Sequence, residues 1–152
     1  MIASYITIQK TSVFENSFSF FKTVDSEKPN YNINLANLYS YELLKNGYFT
    51  EASEKIKEIS EITNYKNGYN LYLLSVIYIY EKNYQNAVNI LEKIINFDQK
   101  DILIKLFICY KALGNNDKSM YYYQQAVNIT GDRQTTDDLI FQQEELLKNV
   151  QL

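Results

Sequence analysis

Apolar residues recur along most of this chain at the three- and four-residue steps of a helix, and short polar breaks interrupt them at nearly regular intervals. In "SVFENSFSFFKTV", Phe14, Phe18 and Phe21 share one helical face, and Ser12 with Glu15 has the form of a capping box. A leading helix over 12–28, ending before Pro29, follows from that pattern. Further on, "KNGY", "EKNY" and "GNND" each separate two helix-length apolar segments. The pattern predicts an all-α chain of helical hairpins. A last helix over 135–151 closes it, with Thr135 or Thr136 as its cap. Its stripe is Leu139, Leu146, Leu147 and Val150, and its other faces are polar, as the terminal element of a stacked array requires.

A small residue recurs at Ser17, Ala52, Ala87 and Ser119, at spacings of 35, 35 and 32. Four residues after each stands a large apolar one: Phe21, Ile56, Leu91 and Tyr123. Self-similarity at this period is the mark of a helix–turn–helix solenoid. It divides a single domain over 1–152 into a leading half repeat at 12–28, hairpins at 32–64, 67–99 and 100–131, and the closing helix. Small residues facing each other let two backbones approach, and Ser40 with Ala52, and Ser75 with Ala87, meet that need. Phe107 opposite Ser119 does not, so the third hairpin is expected to be splayed or shifted. The 32-residue step implies a shortened turn around "FDQKD".

Leu71, Leu74, Ser75 and Tyr78, followed by Ala87 and Leu91, fall at the spacing of the tetratricopeptide repeat pattern, which this segment resembles. Leu103, Leu106, Phe107 and Tyr110, then Ser119 and Tyr123, look like a second copy, and Ala36, Tyr39, Ser40 and Leu43, then Ala52 and Ile56, like a weaker one. The resemblance covers about residues 12–131. It implies a right-handed solenoid of about three repeats, with the first helix of each hairpin lining a concave groove that holds a partner protein or peptide. The layout is also similar to the small three-repeat class II chaperones of type III secretion, which hold apolar segments of translocator proteins.

Carried over by position, the groove residues are Asn37 and Tyr41 from the first hairpin, with Asn34, Leu44 and Lys45 beside them. The second offers Tyr69, Tyr72, Val76 and Tyr80, with Ile79. The third offers Ile104, Ile108 and Lys111, with Asp101 and Ala112. The segment "YNLYLLSVIYIY" is apolar nearly all round, which means burial on more than one face. Tyrosine suits a surface that is wet at some times and covered at others, since its ring is apolar and its hydroxyl polar. The family's carboxylate clamp needs Lys and Asn positions that here hold Asn37, Tyr41, Leu73, Asp101 and Lys105. Only Lys105 fits, so the clamp is absent.

Composition narrows the chemistry. The chain has 152 residues, no histidine, one cysteine, one proline, four glycines and a net charge of −3. Few breakers point to helices rather than an all-β domain. No Lys/Arg block offers a concentrated face for phosphates, so nucleic acid is not an expected partner. No stretch approaches the length of a membrane span, and the start lacks the pattern of a signal peptide, so the expected location is the cytoplasm. Without histidine, Cys109 has no activating base and reads as a buried thiol. Glu51, Glu54, Glu58 and Glu61 interleave with Lys55 and Lys57 as a solvated face with i,i+4 pairs. Of Tyr121, Tyr122 and Tyr123, one must be core. The expectation is a non-enzymatic module without metal or cofactor that binds a protein segment in a tyrosine-rich groove. The alternatives are a secretion-type chaperone and a homodimerisation domain using the same patch.

Overall fold

Seven helices occupy the residues that the computed structural model describes, 32–96 and 98–148. They are α1 (Ile33–Lys45), α2 (Phe49–Ile62), α3 (Gly68–Tyr80), α4 (Tyr84–Leu91), α5 (Gln99–Ala112), α6 (Asn116–Thr130) and α7 (Arg133–Lys148). The leading helix expected at 12–28 and Val150 lie outside the described residues. The first helix of each hairpin starts the same way. The side chains of Asn32, Asn67 and Asp98 accept from the backbone N–H three residues on, at 3.2, 2.9 and 3.4 Å, satisfying donors that a first turn leaves unpaired.

Each hairpin turn has one geometry. After α1, Gly47 donates to Leu44 O and Tyr48 to Leu43 O. After α3, Lys82 and Asn83 do the same to Ile79 and Tyr78, and after α5, Gly114 and Asn115 to Lys111 and Tyr110. This closure needs a left-handed residue, with φ of +84° at Gly47, +56° at Lys82 and +73° at Gly114. Glycine takes that conformation without cost, and Lys82 holds it under strain.

The hairpins pack through their small residues. Ser40, Ala52, Ser75 and Ala87 are all fully buried, at 0% exposure. The third hairpin is not splayed, because α5 and α6 make the most extensive contact of any helix pair. Phe107 instead leans along α6 onto Tyr123, with ring centroids 5.7 Å apart, and Tyr110 stacks on Tyr122 at 5.6 Å with an interplanar angle of 7°. The 32-residue step has its source in α4, which spans 8 residues where α2 spans 14 and α6 spans 15. Past Leu91 the chain tightens into turns, with Lys93 donating to Ile90 O and Ile94 to Leu91 O.

Two apolar clusters form the core. One joins Leu43, Ala52, Ile56, Leu73, Leu74 and Ile77, and the larger joins α3–α7 around Leu91, Ile102, Leu106 and Ala126. Between α1, α2 and α3 lies a buried polar chain. The Ser60 hydroxyl shares its one proton between Ile56 O, at 2.8 Å, and Asn70 Oδ1, and the Asn70 amide donates to Ile56 O at 3.2 Å and to Asn37 Oδ1 at 3.4 Å. Such groups are tolerated in a core only when paired. Along α2, Lys55 pairs with Glu58 at 2.8 Å, an i,i+3 step, with its side chain only 12% exposed and not on the solvated face expected, and Lys57 reaches across to Glu81 at 3.7 Å.

The closing helix starts two residues earlier than expected. Asp132 is its cap: Oδ1 accepts from the Thr135 N–H and Oδ2 from the Thr135 hydroxyl, both at 2.7 Å. Thr136 is fully buried, and its hydroxyl donates to Asp132 O at 2.9 Å. An acid with two oxygens outcompetes a threonine for the exposed first turn, which explains the shift. α7 packs on both α6 and α5, so it does more than cover the last hairpin.

Candidate functional site

α3 presents Tyr72, Val76, Ile79 and Tyr80 on one face, at helical steps of four, three and one. α1 presents Tyr41, Leu44 and Lys45 beside them, and α5 adds Lys105 and Ile108. Together with the α1–α2 turn and the far end of α7, these residues enclose a cleft of about 580 Å³. Its floor holds Leu73 and Ile79, which are 1% and 3% exposed, and Tyr41 stands at the rim, 43% exposed. Phe49 leans on the Tyr80 ring, centroids 4.8 Å apart, and so fixes that wall.

One patch of the cleft is polar. Lys105 is nearly buried, yet it lies 2.9 and 2.8 Å from the two oxygens of Asp101. Its ammonium also donates to Gln143 Oε1 at 3.3 Å, and the Tyr72 hydroxyl donates to Asp101 Oδ2 at 2.9 Å. Burial, and then the neighbouring Asp101 carboxylate, push the Tyr72 phenol well above its ordinary pKa, so it remains a donor. Pairing of this kind is what makes a buried ammonium tolerable. The consequence for recognition is direct: Asp101 already neutralises the lysine that the clamp would use.

Five of the nine expected groove residues line this cleft: Tyr41, Tyr72, Val76, Tyr80 and Ile108. The other four lie elsewhere. Asn37 is 3% exposed and belongs to the buried Asn70 network, and Ile104 is 2% exposed in the core. Tyr69 sits a turn ahead of the cleft, its ring 6.4 Å from that of Tyr72. Lys111 is on the outer surface, its ammonium 2.9 Å from Glu144 and 5.5 Å from the centre of the Phe107 ring. A position along a repeat gives the face of a helix. It does not give how deeply that face is sunk by the neighbouring hairpin.

Phe49, Gln143, Leu146 and Leu147 also line the cleft, where the repeat pattern does not place them. The last three come from α7, which sequence alone casts as a cap. Leu146 and Leu147 follow Gln143 by three and four residues, so one turn brings all three to the cleft, with Leu146 still 55% exposed at its edge. The available signal was a doubled leucine at the end of a helix that needs only one apolar stripe.

Cys109 is fully buried, and burial pushes its thiol up to about 12, which leaves no thiolate to react at neutral pH. Among the described residues no group of His, Cys, Asp or Glu is arranged to hold a metal, and no helix is long and apolar enough to cross a membrane. The triple tyrosine divides as its helix dictates. Tyr122 is 9% exposed, Tyr121 is 59% exposed, and the Tyr123 hydroxyl donates to Asp137 at 2.9 Å.

Comparison with known proteins bears on the fold. Residues 69–101 match the tetratricopeptide repeat family model. The crystal structure of MamA is similar over 90% of this chain and 90% of its own, with a TM-score of 0.68 and 18% sequence identity. That likeness is one of fold. No curated protein matches the chain in sequence.

Proposed function

The chain carries a tetratricopeptide repeat on an all-helical repeat fold, and on that footing we propose that it is a non-enzymatic module that holds a segment of a partner protein in the α1–α3–α5–α7 cleft. Tetratricopeptide folds generally serve protein–protein interaction. The observation that carries the proposal is the cleft itself. Five helices, with α2 giving only Phe49 at its start, turn apolar and aromatic side chains into one open groove of about 580 Å³, and the described residues leave it unfilled. Its tyrosines and leucines match the groove into which apolar anchors of a helix or extended segment are laid.

Val76 lies mid-cleft, away from the small-residue contacts that hold the hairpin, so Val76→Asp places a charge where an apolar anchor should sit. We expect proteins retained from a cell extract by the wild type to fall about tenfold in yield with Val76→Asp, the loss given by a hot-spot change of about 1.4 kcal/mol. Mass spectrometry reads the yield and circular dichroism checks that helicity is unchanged. A retained set that is the same for both proteins, or for Tyr41→Ala as a milder second variant, removes the proposal. Sedimentation at several concentrations tests the homotypic alternative, in which the wild type self-associates and Val76→Asp does not.

A further inference from the structure

We infer that the occupant of the cleft is a segment of a partner protein in which large apolar side chains stand beside an acidic one, paired by Lys45 at the rim. This rests on the cleft-binding reading and adds the chemistry of the ligand to it. The chain as a whole is acidic, at −3, yet among the described residues the charged ones lining the cleft are Lys45 and Lys105, with no Asp or Glu beside them. Lys105 is spent on Asp101. Lys45 is exposed and has no ion pair among the described residues.

Lys45 stands in the last turn of α1, where a lysine would ordinarily answer the helix's carbonyl end. Here two of the last carbonyls are already taken, because Gly47 and Tyr48 donate to Leu44 O and Leu43 O at 3.1 and 2.9 Å. Lys45 is exposed and stands among the residues that line the cleft. Two further polar groups on the lining point to the same conclusion. Lysine only donates, so Gln143 must turn its oxygen to Lys105, and its amide NH₂ is left as a donor with no partner among the described residues. The half-buried Tyr80 hydroxyl also has no hydrogen-bond partner among the described residues, and burial holds it in its protonated, donating form. An apolar cleft whose unpartnered groups donate and whose unneutralised charge is positive is complementary to hydrocarbon carrying a carboxylate.

A random-peptide library displayed on phage, with each peptide fused so that it has no free C-terminus, tests the acidic side chain as distinct from a terminal carboxylate. Selections run against the wild type, Lys45→Glu and Lys93→Glu, the last being the same charge change at an exposed position off the cleft. The wild type and Lys93→Glu should enrich the same peptides, with Asp or Glu next to large apolar residues. Lys45→Glu should keep the apolar preference and lose or invert the acidic one. For a selected peptide, replacing its acid by glutamine should weaken binding about fivefold on the wild type and leave Lys45→Gln unaffected, the scale of one rim ion pair. Apolar peptides without acidic preference, or an acidic preference that persists on Lys45→Glu, overturn the inference while leaving cleft binding intact. Peptides that still bind Val76→Asp, or no enrichment at all, overturn both.

Discussion

Two regions of this molecule are built from tyrosine, and their hydroxyls are used in opposite ways. At the junction of α4, α5 and α6, one carboxylate oxygen of Glu92 accepts from Tyr110 at 2.6 Å and from Tyr122 at 3.0 Å, and lies 3.4 Å from the Lys118 ammonium. Lys118 also donates to the Tyr110 hydroxyl at 2.8 Å and stands 4.7 Å from the centre of its ring. Both rings are almost fully buried and stacked. In the cleft, Tyr72 is tied to Asp101, but the Tyr80 hydroxyl has no such acceptor among the described residues and Tyr41 is open to solvent. The difference teaches what a tyrosine is for. A ring packed with its hydroxyl paired welds two hairpins together, whereas a ring packed with its hydroxyl unspent builds a wall and leaves the polar end available.

The sharpest way to break this contrast is to remove the shared acceptor. Glu92→Leu takes the shared carboxylate from the part-buried Tyr110 and Tyr122 hydroxyls, and losing hydrogen bonds to a charged acceptor should cost about 1–3 kcal/mol. A lower urea midpoint with an unchanged slope would show it. An unchanged midpoint would mean that the cluster is an ornament on the surface and not a weld.

The charge of Glu92 gives a smaller effect with a defined pH sign. Hydrogen bonds, first from Tyr110 and then from Tyr122 and Lys118, hold its carboxyl below the usual carboxylate range against the opposing effect of burial. A carboxylate with a depressed folded pKa stabilises fully above its unfolded value of about 4.3, and that stability is lost as pH falls through the folded value. Wild type should therefore exceed Glu92→Gln in melting temperature at neutral pH, and the gap should close in acid below about pH 4. A gap that stays constant through the acid range would show that the carboxylate's charge adds nothing to the junction.

How much of this contrast can be read without coordinates depends on how local each cause is. The helices, their small-residue contacts and the turns follow from neighbours within one repeat, so the recurrence of Ala52 and Ala87 carries them. The Asp132 cap and the short α4 are less visible. Each is decided by competition between several local residues, and Thr135 looks as good as Asp132 until the oxygens are placed. The cleft is harder still. Tyr72, Val76 and Tyr80 are on the right face by periodicity, but α7 closes the cleft from a position set by tertiary packing. Asn37 illustrates the limit: its place in the repeat reads as groove, and its amide oxygen is committed to Asn70 from the next hairpin.

The smallest expected effect is the most discriminating between weld and wall. Tyr80→Phe removes a half-buried hydroxyl that has no acceptor among the described residues and keeps the ring against Phe49. Nothing is left unsatisfied, so stability should stay within about 0.5 kcal/mol of the wild type. Removing the hydroxyl also removes one donor from the cleft, so a bound peptide that uses it should weaken by at most about tenfold, the scale of one neutral hydrogen bond. Urea unfolding and a binding titration on the same protein separate the two. A Tyr80→Phe variant that loses stability as Glu92→Leu does would show that the hydroxyl works within the fold, and the cleft would then have no polar end to offer a partner from that wall.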